Sequence, residues 1–159
     1  MATVQSDEAT SRMERLRACW HGVAYSHTVG TAPYRTELLG ERLVIWRDSR
    51  GAAHAFRDLC IHRGTALSLG SVAGDEIVCA YHGWRYGADG RCTAIPQLDD
   101  PTRIPAKARV TAFACQERYG LVWVAMEEPR WPIPDLPEME SPGWKTVFCG
   151  PYKIGRAHV

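Results

Sequence analysis

The sequence predicts an all-β domain: an antiparallel β-sandwich or barrel-like body from which two hairpin loops present ligands. Three observations carry this. From Trp20 to Met126 the chain reads as short β-branched and aromatic runs, broken at close intervals by glycine, aspartate and serine, the pattern of strands joined by tight turns. No stretch of that body repeats apolar residues at every third or fourth position for long enough to make a packing helix. Finally, two short Cys/His pairs each follow directly on a predicted strand.

Taken in order, residues 1–15 form a polar lead-in with room for one helical turn. Leu43-Val44-Ile45-Trp46-Arg47 is an apolar β-rich run, Asp48-Ser49-Arg50-Gly51 a turn, and Ala53-His54-Ala55-Phe56 the returning strand of a hairpin. The first Cys/His pair follows at once. Leu67-Ser68-Leu69-Gly70 leads to a turn at Gly74-Asp75, after which Glu76-Ile77-Val78 runs into the second pair. Ala88-Asp89-Gly90 is a further tight turn. Residues 113–119 and 121–126 read as two more strands about Gly120. Trp20, Trp46 and Trp123 are expected in the core, and His54 as an ordinary strand residue.

The 159 residues suffice for one domain, or one domain and part of another. An apolar share of 45% with 23% charged residues is that of a soluble globular chain. The net charge of +1 gives no reason to expect a nucleic-acid or anionic-membrane partner. No apolar run nears the ~20 residues of a membrane helix. The N-terminus has no apolar signal core, so a cytoplasmic protein is expected. Cys19, Cys92, Cys115 and Cys149 lack the spacing of a disulfide framework. They are expected as reduced thiols, most of them buried.

Chemistry concentrates in Cys60-Ile61-His62-Arg63-Gly64 and Cys79-Ala80-Tyr81-His82-Gly83-Trp84, with sixteen residues between His62 and Cys79. Each motif supplies one thiolate and one imidazole. That suits a [2Fe–2S] cluster in which one iron takes two sulfurs and the other takes two nitrogens. Four thiolates leave such a cluster at a charge of about −2, whereas two thiolates and two neutral imidazoles leave it near neutral and easier to reduce. The reading of a different class is a structural zinc site in an interaction module. Zinc pairs usually keep like ligands together, as in C-x₂₋₄-C and H-x₃₋₅-H; both loops here mix them.

At these loops the sequence resembles the N-terminal domain of Rieske non-heme iron oxygenase alpha subunits, which hydroxylate aromatic rings or remove O-methyl groups. Beyond the two motifs, the likeness takes in Leu67-Ser68-Leu69-Gly70, Tyr86 and Gly90. It extends to Leu38-Leu39-Gly40-Glu41 and Glu117-Arg118-Tyr119-Gly120-Leu121-Val122-Trp123-Val124, and spans roughly residues 16–150. Ile61 and Ala80 stand where the family often has proline. The resemblance implies a Rieske [2Fe–2S] cluster held by Cys60, His62, Cys79 and His82. It implies a reductase or ferredoxin as electron donor, a homotrimer as the full-length protein, and a mononuclear Fe(II) held by two histidines and a carboxylate in a C-terminal domain. Trp84 and Tyr86 would cover the cluster and exclude water or serve as plain core aromatics, while Arg63 would pair within the domain or help dock a redox partner. A stand-alone Rieske ferredoxin is the alternative, against which Trp84, Arg63 and a proline-rich extension count.

The residue pattern and the resemblance together divide the chain into the lead-in 1–15, a Rieske domain 16–128, a proline-rich connector 129–153 into an absent catalytic domain, and a tail 154–159. His21, His27, His54 and His158 offer no paired-histidine motif with a spaced carboxylate. The chain alone is therefore expected to carry electrons without oxygenating a substrate. Six of the ten prolines fall from Pro129 onward, but Trp131, Ile133, Leu136, Trp144 and Phe148 among them argue against disorder. Ile154-Gly155-Arg156-Ala157-His158-Val159 is what ATC GGA AGA GCA CAC GTC encodes, a string resembling a sequencing adapter, so this tail is expected to be non-native.

Overall fold

The computed structural model describes residues 14–139, 141–147 and 149. The expected tail 154–159, and all but the last two residues of the expected lead-in, lie outside them. A single helical turn at 14–17 precedes ten strands. These are β1 (His21–Tyr25), β2 (Tyr34–Leu38), β3 (Glu41–Arg47), β4 (Ala53–Arg57), β5 (Ser71–Ala73), β6 (Glu76–Val78), β7 (Arg85–Gly87), β8 (Cys92–Ala94), β9 (Ala112–Arg118) and β10 (Leu121–Ala125). Six form an antiparallel sheet in the order β1-β10-β9-β4-β3-β2, and β5-β6-β7-β8 form a smaller one. The larger sheet curls into a nearly closed barrel whose edges meet where Thr36 Oγ1 donates to the Val23 carbonyl at 3.2 Å. The all-β expectation holds.

Strand β3 shows how the sequence builds two cores at once. Leu43, Val44, Ile45 and Trp46 are all fully buried. Leu43 and Ile45 pack with Ala55, Val122 and Val124 of the larger sheet. Val44 and Trp46 face the other way, packing with Phe56, Leu67, Ile77 and Tyr86. Side chains alternate between faces along a strand, so a strand covered on both sides must be apolar at successive positions. Each such side chain contributes about 1.5–3 kcal/mol on burial. The second core joins the two sheets and contains Cys60 and Cys79.

The register fixes which end of the barrel does what. Phe56 near the end of β4 pairs with Ala112 at the start of β9. The chain therefore leaves β4 for the first Cys/His loop at the end where β9 begins, and β9 turns into β10 at the opposite, remote end. At that remote end Arg47 donates to both carboxylate oxygens of Glu117, each at 2.7 Å, and to the carbonyls of Ser26, Val29 and Gly51. The two-residue turn there, Tyr119-Gly120, has φ of 57° and 71°, the positive pair required by a type I′ hairpin.

Several expectations change. Trp46 is fully buried, but Trp20 and Trp123 are only half-buried. On β10 it is Val122 and Val124 that face the core, so Trp123 points the other way and its Nε1 donates to the Arg118 carbonyl at 3.0 Å. His54 is more than a strand residue: its Nε2 lies 3.2 Å from Asp48 Oδ2 and its ring 4.6 Å from that of Trp46. Burial works to raise the Asp48 pKa, but hydrogen bonds from His54, Ala52 and Arg50 outweigh it and hold the carboxyl at about 2. All six cysteines are free thiols, yet of Cys19, Cys92, Cys115 and Cys149 only Cys92 is buried. In the proline-rich segment Ile133 is 3% exposed while Trp131 and Trp144 stand out into solvent; Phe148 lies outside the described residues.

Candidate metal centre

The two Cys/His loops close by the same hydrogen bonds. The Cys60 N–H donates to the Thr65 carbonyl (2.8 Å) and the Gly64 N–H returns to the Cys60 carbonyl (2.9 Å). In the second loop the Cys79 N–H donates to the Trp84 carbonyl (2.9 Å) and the Gly83 N–H to the Cys79 carbonyl (3.0 Å). Each loop thus needs a left-handed residue four positions after its cysteine. Gly64 and Gly83 supply it with φ of 72° and 69°, where a β-carbon would be strained.

Further contacts hold the loops together. Buried Asp58 accepts from the Ser68 N–H and hydroxyl, both at 2.7 Å, and so ties the two ends of the first loop. Gly70 lies so close to Val78, the residue before Cys79, that a β-carbon would sit 1.9 Å from the Val78 carbonyl oxygen. Only glycine lets the first loop return against the root of the second. Gln97 Nε2 donates to the His82 carbonyl at 3.0 Å. Asp58 and Gln97 carry no motif in the sequence, and Ser68 stands there only within Leu67-Ser68-Leu69-Gly70, with no bonding role. Asp58 and Ser68 are small polar residues near the first motif, which spacing cannot tell from ordinary turn residues, and Gln97 lies thirteen positions beyond the second.

The four donors sort by element. Cys60 and Cys79 form a buried floor, 2% and 3% exposed. The Cys79 thiol is pushed up, first by burial and further by the Cys60 thiol beside it. His62 and His82 are half-buried, with ring centroids 4.6 Å apart. Trp84 stacks on His62 at 4.6 Å and 5°, and Tyr81 lies 3.8 Å from the His82 ring. Burial lowers the His62 pKa, with His82 and Arg63 adding to it. This favours the neutral ring, the form that binds metals. Its Nδ1 is buried with no hydrogen-bond partner among the described residues, a costly state that an iron would relieve. Among the described residues no three His, Cys, Asp or Glu side chains converge to hold a single ion. A sulfur pair beside a nitrogen pair is instead a set for two bridged irons, so these residues fit a [2Fe–2S] group.

Of the predicted surrounding residues, Tyr86 is fully buried with its hydroxyl 3.1 Å from Cys60 Sγ, and Trp84 covers His62. Arg63 is exposed and makes no hydrogen bond or ion pair among the described residues. Ile61, Leu69 and Tyr81, on or beside the same loops, are 43%, 70% and 63% exposed.

Comparison with known proteins agrees with this geometry. The chain is 36% identical over 147 residues to the methylxanthine N1-demethylase NdmA of Pseudomonas putida, covering 87% of this chain and 41% of that protein. It is 35% identical over 149 residues to the oxygenase component of a 3-ketosteroid-9-alpha-monooxygenase from Mycobacterium tuberculosis, covering 89% of this chain and 38% of the relative. It thus spans about two-fifths of the length of these curated relatives. Among solved structures, apo dicamba monooxygenase superposes with a TM-score of 0.73 at 28% identity, over 80% of this chain and 40% of that one. The description "Rieske [2Fe-2S] domain" matches residues 19–114, which take in both ligand loops and the strands from β1 to the start of β9. On this match, and on the paired sulfur and nitrogen donors, the chain belongs to the Rieske [2Fe-2S] domain family.

Proposed function

We propose that Cys60 and Cys79 bind one iron of a [2Fe–2S] cluster and His62 and His82 the other. The domain then relays single electrons from a reductase or ferredoxin to a mononuclear iron that hydroxylates or demethylates an aromatic-type substrate. The observation that carries this is the sorting of donors into a buried sulfur floor and a half-exposed pair of imidazoles. When bound, the cluster supplies one-electron chemistry at a potential of about −150 to +300 mV, the range of centres with two nitrogen ligands.

The residues around it do the rest. The two thiols bind as thiolates, and Tyr86, held protonated, donates to Cys60. Trp84 covers one face of His62 and keeps water off it. The half-exposed histidine edges are where electrons enter and leave, beside the apolar Ile61 and Tyr81 and the unpaired Arg63. The names of the relatives, a demethylase and a monooxygenase component, support the oxygenase reading.

The homotrimer that the family resemblance implies for the longer protein is compatible with one observation, which itself bears only on an acceptor from a neighbouring subunit. The ligand loops occupy one end of the barrel, whereas the proline-rich segment crosses to the remote end, where Arg118 bonds Asp135. An electron acceptor reaches the exposed histidines most readily as a neighbouring subunit.

The test is reduction of the purified chain by NADH and a catalytic amount of reductase, followed as bleaching of the visible absorption. Uptake of one electron per chain is expected. A chain that takes up no electron from either reductase or dithionite would overturn the relay.

A further inference from the structure

We propose that Arg118 and Tyr119 are positioning residues, forming a latch that holds the proline-rich segment at the end of the barrel remote from the ligand loops. The latch stands on geometry alone; its purpose rests on the electron-relay reading above.

The contacts converge on a short stretch. Arg118 Nη2 donates to Asp135 Oδ1 at 2.6 Å and Nη1 to the Ile133 carbonyl at 3.3 Å. The Tyr119 hydroxyl donates to the same Asp135 oxygen at 3.1 Å and accepts from the Leu136 N–H at 2.8 Å. The Arg118 guanidinium lies 4.5 Å from the centroid of the Tyr119 ring, stacked as cations stack on aromatic faces. Ile133 is buried beneath these bonds. A second attachment follows at the same end: the Tyr25 hydroxyl donates to the Cys149 carbonyl, and Tyr25 pairs with Leu121, the residue after the turn.

The backbone supplies an independent argument. Tyr119 has φ of 57°, a conformation in which a bulky residue is strained. A type I′ turn alone would be better served by asparagine or glycine. What tyrosine adds is a hydroxyl placed between Asp135 and Leu136.

The purpose follows from topology. Strand β10 runs antiparallel to β9 and so ends at the ligand-loop end, where the Met126 and Glu127 amides bond the Arg17 carbonyl. From there the segment is free to swing across the ligand loops or to turn back. Arg118 and Tyr119 turn it back, and so leave the face bearing Ile61, Tyr81 and the histidine edges open to a redox partner.

The experiment is amide exchange at Leu136 by NMR in the full chain, with Tyr119→Phe and Tyr119→Gly. Both lose the hydroxyl, while glycine also relieves the turn. About tenfold faster exchange at Leu136 is expected in both, with the Val122 and Val124 amides unchanged. A residue that served the turn alone would give the opposite for Tyr119→Gly: a hairpin as stable as before and no loss at Leu136. In the reduced protein, the Trp144 amide should gain roughly threefold paramagnetic broadening in the variants, as the freed segment visits the ligand loops. Leu136 exchange within twofold of the parent in both variants would overturn the latch. Faster exchange without added broadening at Trp144 would overturn its positioning role. A chain without iron would refute the relay and leave the Leu136 measurement still valid.

Discussion

The Tyr86 hydroxyl stands 3.1 Å from Cys60 Sγ, with both side chains almost wholly buried. Burial, and then the neighbouring Cys60, raise the phenol pKa far above its ordinary value, so the group stays protonated and able to donate to that sulfur once Cys60 is a thiolate. A hydrogen bond to a ligating thiolate draws off negative charge and favours the reduced cluster. Tyr86→Phe should keep the packing and lower the midpoint potential by about 50 mV, taking about 1.2 kcal/mol for the bond and 59 mV per tenfold for one electron. An unchanged potential in voltammetry would show that the hydroxyl does not address Cys60 in the metal-loaded domain.

Asp58 ties the ends of the first ligand loop through two bonds to Ser68. Asp58→Ala leaves a half-buried N–H and hydroxyl without their acceptor, which costs about 1–2 kcal/mol. The urea midpoint of the variant should fall accordingly, and its bound iron should be lost at lower denaturant than in the parent. A midpoint equal to the parent's would mean that water replaces the carboxylate.

Gly70 and Gly64 should respond differently to alanine. At Gly70 the new carbon meets the Val78 carbonyl at 1.9 Å, whereas at Gly64 the nearest atom is 3.7 Å away and only the positive φ matters. Gly64→Ala should cost about 1–2 kcal/mol. Gly70→Ala should cost about 3 kcal/mol or more and spread the two loops, with iron content falling well below that of Gly64→Ala. The reverse order of iron retention would contradict this account of how the loops meet.

Much of this was legible in the sequence, and the failures have physical causes. The run Leu43-Val44-Ile45-Trp46 announced β3, and the glycines following each Cys/His motif announced the loops, because local pattern alone specifies them. The lesser burial of Trp123 was not legible, since a tryptophan on a strand facing the wrong way looks the same in sequence as one facing the core; Trp20 stands just before β1, where no strand alternation applies. Nor were the Asp58–Ser68 and Tyr119–Asp135 bonds, which join residues 10 and 16 positions apart. Such pairings are set by how the hairpins stack, not by local spacing. Thiols were misjudged for the same reason: Cys149 and Cys115 sit in segments whose burial depends on tertiary contact.

Those thiols can be ranked chemically. Burial, and then Glu117, push the Cys115 thiol up to about 12, while Cys149 is exposed. The thiolate is the nucleophile, so at pH 8 about one Cys115 in ten thousand is reactive. Iodoacetamide should label Cys149 first and leave Cys115 intact in the folded protein, as read by mass spectrometry. Because the folded pKa is raised, the thiol's contribution to stability is complete below about pH 8.5 and is lost as pH rises towards 12. Equal labelling rates in the folded protein at pH 8 would contradict the shielding of the half-buried Cys115.

The most direct test of the centre itself is metal and sulfide analysis of anaerobically purified chain, together with Cys79→Ala. Two irons and two acid-labile sulfides per chain, with a visible absorption lost in the variant, are what a cluster on Cys60, His62, Cys79 and His82 requires. One zinc per chain with no acid-labile sulfide, or a cluster that survives Cys79→Ala unaltered, would contradict it.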